Sequence, residues 1–383
     1  MKDSVIAIVG IGETPPTRRS TDNLNSLTMQ AIYAALDDSG ISPDQIDGFV
    51  TDGVIMPSTV PHSWVASELG AQINFSETVS SAGAGTIAAA GLARDALQRG
   101  DAKYVLCYFS VDWGTKPGGP YSFHDIYPAK VAFEKPYGFN SQPLYFSLIA
   151  NHYRDKYGLR DEHLGAIAVN QRSNSILTGH GQNMRPMNMN DYLSSSFIAD
   201  PLRYPDCCLI SDGAAAFIFT TEDRARDLKK PPIFVKGVAL DTGENDESDV
   251  FTQKQDLTSL PAVSSARKLI EIESKISIKE IDFAELYDCF TISCLMQIED
   301  LGFCEKGEAG DFVLEGNTKL DGQIPVNTHG GLLSQSYLLA AEHVTEAVRQ
   351  LRGEAGGVQL DNPQNGIITG LTSPDYAILM LGK

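Results

Sequence analysis

Long apolar runs are missing from this chain of 383 residues, and none approaches the ~18 residues that a membrane span requires. The start, Met1-Lys-Asp-Ser-Val-Ile-Ala-Ile-Val9, runs straight into an apolar strand without the tripartite order of a signal peptide, so a cytoplasmic protein is expected. Cysteine is also sparse. Cys107, Cys207, Cys208, Cys289, Cys294 and Cys304 form no Cys-x-x-Cys pair and no His/Cys ligand spacing, which speaks against a metal held by this chain and for buried free thiols in a reducing compartment. Basic residues are in deficit, 30 Lys and Arg against 49 Asp and Glu for a net charge of -19. Nucleic acid and anionic membranes, which are bound mainly through basic patches, are therefore not expected as partners. Local binding of a phosphate-bearing coenzyme is not excluded by a global charge.

What is present is enough apolar material for a large core, 42% of residues, and two stretches of similar grammar. The first runs from strand Val5–Val9 through an amphipathic helix at about Asn25–Ser39, strand Gly48–Val50, an Ala-rich helix ending near Arg99-Gly100 and strand Tyr104–Phe109 to strand Asp212–Thr220. The second has strand Pro232–Val238, helix Val263–Ser274, strand Asp282–Tyr287, a helix from Ser334 to Arg352 ended by Gly353, and strands Asn365–Thr369 and Tyr376–Leu381. This alternation predicts α/β architecture with parallel sheets buried between helix layers. The halves are expected at 1–225, with an aromatic, Pro/Asn-rich insertion at about 115–206, and at 226–383. No low-complexity linker separates them.

Three segments carry the chemistry: Glu285-Leu-Tyr287-Asp-Cys289-Phe290-Thr291, Asn327-Thr-His329-Gly330-Gly331-Leu-Leu-Ser-Gln-Ser-Tyr337, and Ser80-Ser-Ala-Gly83-Ala84-Gly85-Thr86 at the head of the Ala-rich helix. They resemble, in order, the Asn-Glu-Ala-Phe, the Asn-x-x-Gly-Gly…Gly-His-Pro and the nucleophile segments of thiolases. An ungapped match places Tyr287 at the thiolase asparagine and Tyr337 at the thiolase histidine. The two thiolase cysteine positions fall on Gly83 and on Thr369, in Ile368-Thr369-Gly370-Leu371-Thr372. Without a thiol at either place the acyl-enzyme chemistry of thiolases, which needs a thiolate nucleophile, is excluded. Pro201-Leu-Arg-Tyr-Pro-Asp-Cys-Cys-Leu-Ile-Ser-Asp212-Gly213 resembles the sterol-carrier branch of the superfamily. Within it the wording is most similar to the thiolase-like aldolases of bacterial steroid side-chain degradation. That resemblance, which spans nearly the whole chain, implies a duplicated, five-layered α-β-α-β-α thiolase fold and a homodimer. It also implies a partner built from an OB-fold and a zinc ribbon, a coenzyme A thioester as substrate with no cofactor held by this chain, and retro-aldol cleavage by Tyr287 and Tyr337.

The chemistry can be stated without the family. Breaking Cα–Cβ of a 3-hydroxyacyl thioester takes a base for the β-hydroxyl, donors for the thioester oxygen as it becomes an enolate, and an acid for Cα. Tyrosine can fill either proton role, but its ordinary pKa of ~10 calls for tuning or concert. Enolate donors are expected from backbone N–H groups at Gly83 and Ala84, at the helix N-terminus, and from the turn after Thr369 and Gly370. Asn327 is expected to touch substrate, and His329 either orients a tyrosine or a water, or is a turn histidine bonded to backbone. Asp288 reads as a local structural residue. A single tyrosine at a strand end would ordinarily be read as a core residue with a satisfied hydroxyl; two at two catalytic positions favour catalysis.

Other patterns read as structural. Gly83-Ala-Gly85-Thr-Ile-Ala88 fits a dinucleotide-binding pattern, but Glu77-Thr-Val-Ser-Ser before it is not an apolar strand and Asp112 lies too far along. Arg224-Ala-Arg-Asp-Leu-Lys-Lys230 reads as a solvated linker, with a phosphate site for coenzyme A as the alternative. Two other functions stay open beside the lyase: an acyltransferase, kept alive by Cys289, and a non-catalytic acyl-CoA or lipid carrier or scaffold.

Overall fold

The computed structural model describes residues 4–53, 59–79, 81–116, 128–243, 256–372 and 375–383. Part of the expected insertion, residues 117–127, and Ser80 of the helix-head segment lie outside them. The strands are β1 (Ile6–Glu13), β2 (Gly48–Asp52), β3 (Phe75–Val79), β4 (Tyr104–Asp112), β5 (Phe197–Ala199), β6 (Leu202–Arg203), β7 (Asp212–Thr221), β8 (Ile233–Thr242), β9 (Phe283–Glu285), β10 (Asn365–Leu371) and β11 (Asp375–Gly382). Apart from the β5-β6 ribbon they follow one another as β3-β2-β4-β7-β1-β8-β11-β10-β9.

This order exposes the duplication. Numbered within its own half, the first half runs 3-2-4-5-1. The second runs 2-4-5-1 from its outer end, with the bridge Ala284↔Val326 standing where a third strand would be. Only two residue pairs, Ala7↔Phe234 and Ile8↔Ile233, join β1 to β8. The expectation of parallel sheets needs correction. Pairs β2-β3, β2-β4 and β9-β10 are parallel, but β1-β7, β4-β7, β8-β11 and β10-β11 are antiparallel. The alternation of apolar strands with helices could not reveal this. Strands buried on both faces look alike in sequence whichever way their neighbours run.

Helix packing gives the layers. Helix Leu24–Ser39, its N-terminus capped by the Asn23 side chain, covers β1 and β7, while helix Pro261–Ser274 covers β8 and β11. Helices Gly85–Arg99 and Ala341–Arg352 touch strands of both halves and form the middle layer. Ala89, Ala93 and Ala96 of the first and Val344, Val348 and Leu351 of the second share one buried cluster with both sheets. Each fully buried branched side chain contributes roughly 1.5–3 kcal/mol. Both central helices stop at a left-handed glycine, Gly100 (φ 80°) and Gly353 (φ 79°), a conformation that costs glycine no Cβ clash.

The helix expected from Ser334 to Arg352 is two helices, Gly331–Ser334 and Ala341–Arg352. Between them Leu339 (φ 61°) and Ala340 (φ 64°) are left-handed, a state that costs an L-residue ~1–2 kcal/mol and cannot be propagated as a helix. The break is stitched by Leu338 N donating to Glu342 Oε1 (2.7 Å) and Thr86 Oγ1 donating to Leu339 O (2.6 Å). Tyr337 lies in this break. The insertion contributes helices Gln142–Tyr157 and Asp161–Thr178. The second packs on helix Thr291–Asp300 and on Gly331–Ser334, so the insertion walls the C-terminal half. No described helix is long and apolar enough to cross a membrane.

Candidate active site

Tyr287 follows β9 by two residues and Thr369 sits near the end of β10, so both lie at the C-terminal ends of two parallel strands, where ligands of α/β sheets bind. Tyr337 enters from the broken helix. The two phenol oxygens are 2.6 Å apart, and either can be the donor. Tyr287 is buried; Tyr337 keeps a partly exposed edge and packs its ring on Trp113, centroids 4.6 Å apart. Burial pushes both phenols well above their ordinary value, with neighbouring Tyr337 and Cys289 adding to the effect on Tyr287, and Cys208 and Cys289 to that on Tyr337. At neutral pH both are protonated, and the pair can pass a proton along its own hydrogen bond.

Gly83 explains how the phenols fit. A Cβ at Gly83 would sit 2.6 Å from both Cζ and Oη of Tyr287 and 2.1 Å from Leu371 O. Any side chain at the first thiolase cysteine position therefore competes with Tyr287 for the same space. A Cβ at Gly370 would lie 2.7 Å from Ala84 Cα, so strand β10 and the Gly83-Ala84 turn are in backbone contact.

Several expected substrate contacts are already engaged inside the protein. Ala84 N–H donates to Ser81 O (2.8 Å). At the same helix start, Asp52 Oδ2 would be 2.5 Å from a Cβ on Gly85, so a buried carboxylate already meets the positive end of the helix. That placement also repels a pyrophosphate. The segment before it, Phe75–Val79, is a strand after all, and the carboxylate rather than the lack of a strand speaks against a dinucleotide.

Thr369, expected before a turn, lies within β10, opposite Ile378 of β11. Its hydroxyl accepts from Tyr287 N (2.9 Å) and donates to Gln297 Oε1 (2.7 Å). Asn327, left-handed at φ 51°, has its side chain engaged at both ends by Leu286, accepting from its N (2.6 Å) and donating to its O (3.0 Å). It fixes the strand end that leads into Tyr287.

His329 touches neither tyrosine through any hydrogen bond among the described residues. It is fully buried, Nε2 3.2 Å from His343 Nδ1 and Nδ1 3.0 Å from Glu285 Oε2, the latter too misaligned to be a hydrogen bond. His343 Nε2 in turn lies 3.1 Å from Leu286 O and 3.4 Å from Asp288 Oδ1. Glu285, His329 and His343 thus form a buried cluster in which one potential ligand atom from each lies within 4.8 Å of the others, a spacing that a cation could share. Burial pushes His329 down to about 3 and Glu285 up to about 7. For His343 burial acts downwards but is outweighed by Asp288 and by Glu342 and Glu285, which raise it. Asp288 accepts from Leu332 N (2.9 Å) and Leu333 N (3.3 Å), holding the N-terminus of the Gly331–Ser334 helix.

Residues that sequence reasoning missed include Trp113, Gln182, Ser211, Gln297, Glu342 and His343. Apart from Ser211, which lies in the Pro201–Gly213 segment, none stands in a recognisable motif, and only the three-dimensional crossing of segments far apart in the chain brings them to the tyrosines. The cations of the Arg224–Lys230 run are largely paired on the surface, Arg226 with Glu222, Lys229 with Asp37 and Lys230 with Glu354, in keeping with a solvated linker.

Residues 243–377 match the family described as thiolase C-terminal domain-like. The chain is 31% identical over 384 residues to the steroid side-chain-cleaving aldolase of Thermomonospora curvata, covering 98% of this chain and 97% of that one. The chain belongs to the thiolase superfamily, in its sterol-carrier thiolase-like branch. Within this branch it is also 32% identical over 355 residues to the 17-hydroxy-3-oxo-4-pregnene-20-carboxyl-CoA lyase of Mycobacterium tuberculosis, covering 91% of each. The solved structure of the Ltp2-ChsH2(DUF35) aldolase superposes with a TM-score of 0.91 at 30% identity, covering 99% of this chain and 97% of that one. The thiolase-superfamily fold is thus shared end to end.

Proposed function

We propose that this thiolase-superfamily member is a carbon–carbon lyase that cleaves the Cα–Cβ bond of a 3-hydroxyacyl-CoA with a bulky, steroid-type acyl part. The observation that carries the proposal is the 2.6 Å phenol pair, and it is supported by the resemblance of its two segments to those of the thiolase polar catalytic groups and by glycine and threonine in the segments that resemble the thiolase cysteine turns. One phenol oxygen takes the β-hydroxyl proton as it passes its own proton to the second phenol, the C–O bond becomes a carbonyl, and the Cα–Cβ electron pair moves to the thioester as an enolate. The second phenol returns a proton to Cα. One proton leaves oxygen and one arrives at carbon, so the balance needs no redox partner, and a hydrogen-bonded phenol pair can relay the proton. The names of the similar proteins, an aldolase and a CoA lyase, support this reading.

The transferase reading lacks a nucleophile. Burial pushes the Cys289 thiol up to about 12, leaving it protonated at neutral pH. For assembly, β3 is the outer strand of the first half with Ser76, Glu77 and Thr78 exposed, an open edge suited to pairing with a second copy. The DUF35 protein in the name of the solved relative supports a small OB-fold/zinc-ribbon partner here too. The test is to incubate the chain, alone and with an OB-fold/zinc-ribbon protein of the proposed partner class, with a steroid 3-hydroxyacyl-CoA. Equal amounts of carbonyl product and short acyl-CoA are expected; binding without cleavage in both cases would leave the carrier reading. Light scattering should give a dimer, and a stable monomer at micromolar concentration would remove that part.

A further inference from the structure

The backbones of the two tyrosines are held in the same way by unrelated parts of the chain. Tyr287 N donates to the Thr369 hydroxyl (2.9 Å), which donates to Gln297 Oε1 (2.7 Å). Tyr337 N donates to the Ser211 hydroxyl (2.9 Å), which donates to Gln182 Oε1 (2.7 Å). Each chain then closes on its own segment. Gln297 Nε2 donates to Tyr287 O (2.8 Å), while Gln182 N donates to Gln335 O (2.8 Å), two residues before Tyr337. Gln297 is fully buried with every amide valence used, its Oε1 also accepting from Tyr376 Oη (2.9 Å) and its Nε2 also donating to Ser293 O (3.0 Å). Such a buried amide is costly to leave unpaired, so Gln297 fixes the Thr369 hydroxyl in one rotamer and direction, and the half-buried Gln182, whose Nε2 also donates to Ile210 O (3.0 Å), holds the buried Ser211 hydroxyl.

We propose that Gln297 and Gln182 are positioning residues for the phenol pair, acting through Thr369 and Ser211. They clamp the peptides of Tyr287 and Tyr337 so that the two hydroxyls meet at hydrogen-bond distance. Thr369 then has a task quite different from a catalytic thiol at the same place. It touches no reacting atom and holds the residue that does. The inference rests on the lyase reading for its kinetic consequences, but not for its geometric one.

The test uses the full chain with its partner. Gln297→Leu breaks four buried bonds at once and risks the fold, so the decisive variant is the near-isosteric Thr369→Val, with Thr369→Ser as the conservative rescue. Thr369→Val should lower kcat about 10- to 100-fold with KM little changed, the size expected when a reacting group is slightly misplaced, and Thr369→Ser should recover most of it. Ser211→Ala should behave likewise through Tyr337. In a Tyr287→Phe background, Thr369→Val should cost little more, because the two act as one unit. Equal losses in both backgrounds, or full activity of Thr369→Val, would overturn the proposal. An arm independent of turnover follows the Tyr287 resonance in protein labelled with 13C at the tyrosine Cζ: it should move in Thr369→Val and return in Thr369→Ser. An unmoved resonance refutes the clamp whatever the activity, whereas absent turnover in wild type with a moved resonance refutes only the lyase reading.

Discussion

The two central helices occupy equivalent places in the two halves and have opposite characters. Helix Gly85–Arg99 is lined with alanine, buries Ala89, Ala93 and Ala96, and begins beside a glycine that yields its space to Tyr287. Helix Ala341–Arg352 buries Glu342, His343, Thr345, Glu346 and Gln350 beside its apolar residues and begins at the break that carries Tyr337. The first half has been emptied and the second filled. In a duplicated fold, chemistry can be moved between halves by removing a side chain from one helix head and letting a tyrosine from the other half fill the gap.

The largest effects should come from the tyrosines. Tyr287→Phe and Tyr337→Phe are each expected to lower kcat by ~10²–10⁴-fold, the usual loss of a proton-transfer group, with melting temperature nearly unchanged because one buried hydroxyl contributes about 1 kcal/mol. Assays with partner present and a thermal melt check both. Next comes Gly83→Ala, which forces its methyl into Tyr287. Activity should fall about 100-fold, as for a misplaced reacting group, and stability should fall with it. Adding Tyr287→Asn, which removes the clash with the ring but not the one with Leu371 O, should recover part of the lost melting temperature without restoring activity. If Gly83→Ala is as stable as wild type, the two helix heads do not compete as described.

Smaller effects separate the helices themselves. Burial holds the Glu342 carboxyl up at about 8 in the folded chain, against ~4.3 unfolded. The folded state therefore binds more protons between these values, and stability is full below about pH 4 and declines as pH rises through about 8. His343 and Glu13 face Glu342 and modulate this, His343 acting downwards. Glu342→Gln, which keeps an acceptor for Leu338 N, should match or fall slightly below wild type at pH 5 and melt higher at pH 9. A constant difference across that range would contradict it. In the Ala-rich helix, Ala93→Gly should cost only ~1–2 kcal/mol from propensity and one lost methyl, with kcat unchanged.

Much of this was legible in the sequence because it rests on local pattern. Gly40 ends the first helix, Gly100 and Gly353 end the central helices, and the tyrosines stand in segments whose neighbours fix the alignment. Strand direction was not legible, since apolar strands carry no mark of it. The break at Leu339-Ala340 was hidden by a sequence with good helical periodicity, because a tertiary bond from Thr86 and a cap from Glu342 hold a backbone that propensity disfavours. Thr369 and Asn327 lie in the expected motifs, but their polar atoms turn inward to Tyr287, Gln297 and Leu286 rather than out to a ligand. Gln297 and Gln182 could not have been found, since a buried or half-buried glutamine in a helix or loop looks like any other until its partners are known.

The central claim is that a phenol pair has replaced thiol chemistry. It is tested most directly by a single-turnover reaction of wild-type protein, with its partner, on a steroid 3-hydroxyacyl-CoA, followed by intact-mass analysis of the chain and quantification of both small products. Stoichiometric carbonyl product and short acyl-CoA from a chain of unmodified mass is the predicted result. An acylated chain, with the label on Cys289 or any other cysteine, would contradict it.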